Sequence, residues 1–207
     1  MGSPGRPYTR WLMESRAVLI PVKAFDAAKG RLAPALDHRA RAALARSLAD
    51  AVVAACAGLD VFVVCEDPAV ATWARHAGAT VLPNHEPGLN AAVRHGIAAL
   101  ARRHIDRVLV AHADLATPTT LPDLFEHDGI VLVPDRRLDG TNVMVVPPDA
   151  GFSFSYGPGS FARHLSEADR LGMPVHVVRD VGLALDLDEP DDLSMFRPTA
   201  HRSGASS

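Results

Sequence analysis

The chain has 207 residues, of which 48% are hydrophobic and 22% are charged, and its formal net charge is -3. This length supports one sizeable core, and the composition is ordinary for a globular protein. The sequence has no Lys/Arg-rich block and no apolar run beyond about six residues, which argues against nucleic acid, an anionic membrane or a membrane span.

The two cysteines and the two ends of the chain bear on its compartment and domain limits. Cys56 and Cys65 lie in apolar segments without CxxC spacing, which predicts reduced core residues of a cytoplasmic protein. Residues 1–15 are polar and lack the apolar stretch of a signal peptide, so we interpret them as a disordered extension. We expect a single domain over 16–197 and a disordered tail over 198–207.

Strands and helices are predicted to alternate along most of the chain. Short apolar runs predict strands at 17–22, 60–66, 80–83, 107–114, 129–134, 142–148 and 174–178. Helical spacing predicts helices at 37–57, 68–77, 89–100, 158–172 and from 189 onward, with one or two turns at 119–125.

This alternation predicts an α/β fold, a three-layer sandwich with a mixed, mostly parallel central sheet. The strands at 129–134 and 142–148 are separated by only seven residues, "DRRLDGT", with no crossover helix. That pair is therefore expected to be antiparallel or displaced. In such folds, ligands bind at the carboxyl ends of the strands.

The loop after the first strand, "KAFDAAKGRL", carries the only lysines of the chain, Lys23 and Lys29, followed by Arg31. A compact ammonium group can meet phosphate oxygens from several directions, whereas arginine prefers a planar, bidentate partner. The placement of both lysines favours phosphate binding, with Lys23 expected to be the more sensitive because it is nearer the strand end. The alternative is that both are solvated surface charges.

Two other segments carry carboxylates. Asp114 ends an apolar strand, and Asp186 and Asp188 share one face of an extended segment. Such carboxylates are natural ligands for Mg²⁺, which proteins hold with one or two carboxylates plus substrate phosphates. Asp114 could instead cap the following helix, and His112 is either a ligand, a base or a wall residue.

Three more loops carry backbone or amide donors. The loops "DGTNV" and "SYGPGSF" combine glycine with hydroxyl side chains, and the second stands before a predicted helix, whose N-terminus favours an anion. Plain turn chemistry explains both loops equally well. Asn90 in "EPGLNAA" could cap its helix or contact a base or ribose.

The ordered motifs "PVKAFDAAKGRL", "PGLNAA", "ADLA", "DGTN", "SYGPGSF" and "LDLDEPDDL" resemble those of the 2-phospho-L-lactate or phosphoenolpyruvate guanylyltransferases of coenzyme F-420 biosynthesis. These belong to the wider nucleotidyltransferase (GT-A-like) fold that includes the molybdenum cofactor guanylyltransferases. The resemblance covers roughly residues 17–196. It departs at Ala116, where a proline is expected.

The resemblance implies a transfer of GMP from GTP to a small phosphorylated carboxylic acid, with Mg²⁺ as the cofactor. A downstream pathway enzyme is an expected partner. The arginine-rich, lysine-poor composition indicates a GC-rich genome, which by the resemblance favours phosphoenolpyruvate. The implied residues are Lys23, Lys29 and Arg31 for the triphosphate, Asn90 for the nucleoside, Asp114 and Asp186 for the metal, and Thr141, Gly157 and Ser160 for the acceptor.

Two alternatives stay open. One is another nucleotidyltransferase of the same fold, with a sugar phosphate or molybdenum cofactor acceptor. The other is a GTP-binding module without catalytic activity.

Overall fold

The computed structural model describes residues 14–195, and side chains as far as Leu193. The tail expected over 198–207, and residues 1–13 of the expected extension, lie outside the described residues. Ser15, at the end of that extension, is bonded to the domain, because its backbone N–H and its hydroxyl both donate to Asp106 Oδ2 at 2.9 Å. No helix of the described range is long and apolar enough to cross a membrane.

A seven-stranded mixed sheet forms the centre of the molecule. The strands are β1 (Arg16–Pro21), β2 (Asp60–Cys65), β3 (Thr80–Pro83), β4 (Arg107–Ala111), β5 (Ile130–Pro134), β6 (Thr141–Val146) and β7 (Val175–Val177). They are arranged in the order β3-β2-β1-β4-β6-β5-β7. β6 is antiparallel to both of its neighbours, β4 and β5, and all other pairs are parallel. The expected mixed sheet and its antiparallel pair are confirmed.

Helices cover both faces of this sheet. They are α1 (His38–Ala55), α2 (Pro68–His76), α3 (Leu89–Ala101), α4 (Ser160–Arg170) and α5 (Pro190–Met195). Side-chain caps explain two of the starts, since Asp37 accepts from the Ala40 N–H and Asp67 from the Val70 N–H. The predicted turns near 119–125 are a 3₁₀-helix at Leu121–Glu126.

Alternate residues of each strand face opposite layers of the sandwich. In β1, Val18 and Ile20 pack toward α1 and α2, whereas Ala17 and Leu19 pack toward α3 and α4. The sheet is thus buried on both faces, which accounts for the continuous apolar runs in the sequence. The three-layer α/β architecture is confirmed.

The topology collects several loops at one edge of the sheet. The parallel strands β1, β2, β3 and β4 all end there, and the antiparallel β6 begins there with Thr141. The fourth strand is shorter than expected, because pairing ends at Ala111 and residues 112–114 form a loop. The lysine loop contains two 3₁₀ turns, Phe25–Ala27 and Gly30–Leu32, that the sequence pattern did not predict.

Candidate active site

A short backbone pairing brings the two predicted metal-binding carboxylates together. Leu115 and Asp186 form an isolated antiparallel bridge, and the Leu187 N–H donates to the Asp114 carbonyl at 3.3 Å. The segment after β4 and the segment before α5 therefore lie side by side. This places Asp114 and Asp186 at the same sheet edge, although 72 residues separate them.

Lys29 is paired with the first of these carboxylates. Its Nζ lies 2.5 Å from Asp114 Oδ2, and the lysine is only 5% exposed. Its backbone is left-handed, with φ at 58°. Burial acts to raise the pKa of Asp114, but the Lys29 ammonium and the smaller effects of His112 and hydrogen bonds outweigh it, so the pKa is lowered.

Asp186 has the opposite electrostatic situation. Burial first, and then the negative charge of Asp114, raise the pKa of this carboxyl above its ordinary value. No ion pair of its side chain is seen among the described residues. An added cation near both carboxylates would relieve this repulsion.

A cavity of about 500 Å³ opens at the ends of β1, β2 and β4. We call it the lysine cavity, because Lys23 and Lys29 both line it, together with Asp114 and Asp186. Lys23 is exposed, whereas Lys29 is buried. The volume of the lysine cavity is in the range of small-molecule sites.

A second cavity of about 330 Å³ lies beside the first, at the start of β6 and α4. We call it the arginine cavity, because Arg31, Arg136 and Arg137 line it. The two cavities share four residues along their border: Leu89, His112, Asp186 and Asp188. A ligand in one cavity can therefore contact a ligand in the other.

The loops "DGTNV" and "SYGPGSF" form one hydrogen-bonded unit in the wall of the arginine cavity. The Thr141 N–H donates to Ser160 Oγ at 3.0 Å, and the Phe161 N–H donates to the Asp139 carbonyl at 3.0 Å. His164 adds a third link, because its Nδ1 lies 3.0 Å from Thr141 Oγ1. Since Phe161 N–H and Ser160 N–H already bond within the protein, fewer donors of the α4 N-terminus are free for an anion than the sequence implied.

The protonation of His164 fixes the direction of this third bond. The Ser155 N–H donates to His164 Nε2 at 3.0 Å, so Nε2 carries no proton. Burial, assisted by the charge of Arg163, lowers the pKa of His164 to about 4. The ring is neutral at pH 7 and its proton is on Nδ1. The Nδ1–H group therefore donates a hydrogen bond to Thr141 Oγ1.

Two hydroxyl groups are consequently left as donors toward the arginine cavity. Thr141 Oγ1 accepts from His164, and Ser160 Oγ accepts from the Thr141 N–H, so each oxygen retains its own hydrogen for another partner. Both residues line the cavity and are only 1% exposed. Gly157, also in the lining, has φ at 119°, which a residue with a side chain rarely adopts. This arrangement suits an anionic ligand.

Each arginine of the cavity forms an ion pair with a carboxylate of the same chain. Arg31 Nη1 lies 2.9 Å from Asp188, Arg136 Nη2 lies 2.5 Å from Asp192, and Arg137 Nη2 lies 2.6 Å from Glu189. Arg31, expected at the triphosphate, thus lines the arginine cavity and not the lysine cavity.

Asn90, expected near the nucleoside, lines neither cavity. Its amide instead binds the backbone of Tyr156, accepting from the N–H at 2.7 Å and donating to the carbonyl at 3.2 Å. The sequence could not indicate this role, because the two residues are 66 positions apart. Arg136, Arg137 and Tyr156 were not predicted, although the two arginines lie within the quoted "DRRLDGT" and the tyrosine within "SYGPGSF".

The carboxylates of Asp114 and Asp186 fit Mg²⁺ better than a metal ion that is bound by protein side chains alone. In residues 14–195, no group of three or more His, Cys, Asp or Glu side chains is arranged to hold a metal ion. Asp114 and Asp186 place two carboxylates at this edge, and this fits Mg²⁺, which is usually bound by one or two carboxylates and completes its shell with waters and substrate phosphates.

Solved structures share this fold at low sequence identity. A nucleotidyl transferase from Methanothermobacter superposes with a TM-score of 0.61 and 17% identity, covering 89% of this chain and 97% of that one. A 4-diphosphocytidyl-2C-methyl-D-erythritol synthase gives the same values. The nucleotidyltransferase fold is therefore confirmed.

Closer relatives are found by sequence. Proteins named phosphoenolpyruvate guanylyltransferase from Rubrobacter xylanophilus and Sphaerobacter thermophilus are 38% and 36% identical, covering 85% and 84% of this chain and 90% and 89% of theirs. A protein of that name from Conexibacter woesei is 35% identical and covers 92% of each chain. The model of the family described as "Guanylyl transferase CofC like" matches residues 16–202. The chain belongs to this guanylyl transferase family.

Proposed function

We propose that this protein transfers GMP from GTP to phosphoenolpyruvate with release of pyrophosphate. Coenzyme F-420 biosynthesis is the pathway that this reaction would serve. The observation that carries the proposal is the common border of the two cavities, formed by Asp186, His112 and their neighbours. A nucleotide in the lysine cavity and an acid in the arginine cavity would meet there.

The lysine cavity is the proposed GTP site. Lys29 presents a buried ammonium group beside Asp114, and Lys23 presents a second one at the exposed rim. Two compact positive charges offset the charge of a triphosphate. The cavity volume of about 500 Å³ is also compatible with a nucleotide.

The arginine cavity is the proposed acceptor site. The hydroxyls of Thr141 and Ser160 are free to donate, and Gly157 leaves its backbone accessible beside them. Hydrogen bonds from such donors to a phosphate or carboxylate oxygen are charge-assisted and therefore stronger than neutral ones. The acid would be held with its phosphate toward the border.

The reaction forms a bond from an acceptor phosphate oxygen to the α-phosphorus of GTP. The bond from the α-phosphorus to the bridging oxygen breaks, and pyrophosphate leaves with that electron pair. A phosphate monoester is largely a dianion at pH 7, since its second pKa is about 6, so no general base is required. The task of the protein is to position two anions and reduce their repulsion.

Asp114 and Asp186 would hold Mg²⁺ together with the substrate phosphates, and the bound ion would neutralise charge on the α-phosphate and the leaving group. Lys29 keeps Asp114 ionised, because the ammonium lowers the pKa of that carboxyl. The same lysine lines the cavity where the triphosphate would lie. It would thus serve both the metal ligand and the nucleotide.

Profiling of products tests the proposal and separates it from the alternatives. The protein, GTP and Mg²⁺ are incubated with phosphoenolpyruvate, 2-phospho-L-lactate, 3-phosphoglycerate or a sugar phosphate, and pyrophosphate release is measured. We expect release to be fastest with phosphoenolpyruvate. GTP binding without release with any acceptor would identify a binding module instead.

A further inference from the structure

Two residues that line the arginine cavity, Tyr156 and His112, each carry a buried polar atom without a hydrogen-bond partner, Tyr156 Oη and His112 Nε2. Within residues 14–195, four buried side-chain nitrogen or oxygen atoms lack such a partner, and the other two, on Glu14 and Arg41, do not line this cavity. A buried hydroxyl without a partner lowers stability, so folded proteins rarely keep one that no ligand or water satisfies. A ligand or a water is therefore needed to satisfy the hydrogen bonding of these two side chains.

The position of the tyrosine ring is fixed before any ligand binds. The Asn90 amide bonds both the N–H and the carbonyl of Tyr156. Its ring packs beside His112, with centroids 5.5 Å apart, and edge-on against His164, with centroids 5.0 Å apart. The residue is 9% exposed. The free hydroxyl is therefore held in a preformed place, and a turn of the ring about its Cβ–Cγ bond leaves Oη where it is, because that atom lies on the axis.

The chemistry of this hydroxyl selects its partner. Burial raises the pKa of Tyr156 well above its ordinary value, so the group stays protonated and acts as a hydrogen-bond donor. Tyr156 lines the same cavity as Thr141 and Ser160, whose hydroxyls are also donors. An anionic oxygen is the partner that such donors bind most strongly.

We propose that the Tyr156 hydroxyl donates a hydrogen bond to an anionic oxygen of the acceptor acid and is a further binding residue of that subsite. This inference rests on the proposed function, because it takes the arginine cavity to be the acceptor site. Tyr156 lines that cavity and not the lysine cavity, so its contribution belongs to the acid and not to GTP.

The test is Tyr156→Phe, which removes the hydroxyl and keeps the packed ring. We expect the KM for phosphoenolpyruvate to rise about 10- to 100-fold, as for the loss of one hydrogen bond to a charged group. The KM for GTP should change less than about twofold. The melting temperature should stay equal or rise, because an unsatisfied buried hydroxyl is removed. A purely structural role would lower it.

Ser166→Ala is the matched control, because that hydroxyl bonds to the Ala162 carbonyl on the exposed side of α4 and should leave both KM values unchanged. If the unaltered protein turns over phosphoenolpyruvate and Tyr156→Phe keeps its KM, the inference is wrong while the proposed function stands. If the unaltered protein releases pyrophosphate with none of the three phosphorylated acids, the proposed function fails and the inference fails with it.

Discussion

Lys29 and Asp114 form a close ion pair at the sheet edge, and Asp186 lies beside them with no ion-pair partner among the described residues. This asymmetry makes the two carboxylates differ in what they contribute to folding. Asp114 is stabilised as an anion in the ligand-free protein, whereas Asp186 is kept charged at a cost. Both would be needed once nucleotide and metal are bound.

Asp114→Asn and Asp186→Asn are each expected to abolish turnover but to change stability in opposite directions. The first leaves the buried Lys29 without its anion, and breaking such a pair costs about 3–5 kcal/mol. The second removes a charge whose pKa is raised by burial and by Asp114, so the free energy of unfolding should rise. Urea unfolding and pyrophosphate release measure the two effects. Wild-type rates at saturating Mg²⁺ would show that the altered residue is no catalytic ligand.

Lys29→Arg is expected to impair the protein more than Lys23→Arg. Lys29 is 5% exposed and its Nζ is packed against Asp114, so a larger, planar guanidinium cannot occupy its place without displacing its neighbours. A lost charge-assisted hydrogen bond, about 1.5–3 kcal/mol, corresponds to a 10- to 100-fold fall in kcat/KM for GTP. The melting temperature should fall for Lys29→Arg only, since Lys23 is exposed. This reverses the order expected from the sequence. Wild-type kinetics in both variants would show that neither lysine contributes to GTP binding.

At the scale of elements, β6 and α4 are joined where each begins, through Thr141, Ser160 and His164. Neither loop alone orients a hydroxyl donor; the orientation results from the bonds between them. The neutral state of the His164 ring is part of this arrangement, because a protonated Nε2 could not accept from the Ser155 N–H.

The stability of the protein should therefore fall in mild acid. The pKa of His164 is about 4 in the folded chain and about 6.5 when unfolded, so the unfolded state binds the proton more readily between these values. The stability that is present above pH 6.5 is lost as the pH falls toward 4, by about 3 kcal/mol for this one group. Urea unfolding at pH 7 and 4.5 measures the loss, and His164→Gln should reduce it. An unchanged pH dependence in that variant would contradict the assignment.

Ser160→Ala is expected to raise the KM for the acceptor more than the KM for GTP. It also leaves the buried Thr141 N–H without an acceptor, which costs about 1–3 kcal/mol of stability. Ser166→Ala, on the same helix with an exposed hydroxyl, serves as the control. A larger effect on GTP would mean that the two subsites are exchanged.

At the scale of the whole molecule, the alternation of strands and helices was sufficient to predict the layers and the edge that carries the site. Apolar runs can be recognised in the sequence without knowledge of distant contacts. They predict a sheet buried on both faces, and Val18 and Leu19, which face opposite layers, are both fully buried. The loops bearing Lys29, Asp114 and Thr141 were found because they follow or precede those runs, and Asp186 was found from the spacing of its own extended segment.

What the sequence could not provide depends on contacts between distant segments. The bond of Asn90 to Tyr156, the burial of Lys29 against Asp114 and the pairing of Arg136 with Asp192 each join residues far apart in the chain. No local spacing encodes these contacts. The unpartnered Tyr156 hydroxyl, likewise, is visible only when every neighbour has been placed.

The most direct test of guanylyl transfer is the mass of the product formed by the full-length protein from GTP, Mg²⁺ and phosphoenolpyruvate. The account predicts a product with the mass of the acid joined to GMP through a phosphoanhydride (P–O–P) bond. One pyrophosphate should be released for each molecule of product. Asp186→Asn should give none of it while remaining folded. Release of pyrophosphate without that product, or formation of the product by the Asp186→Asn variant at the wild-type rate, would contradict the account.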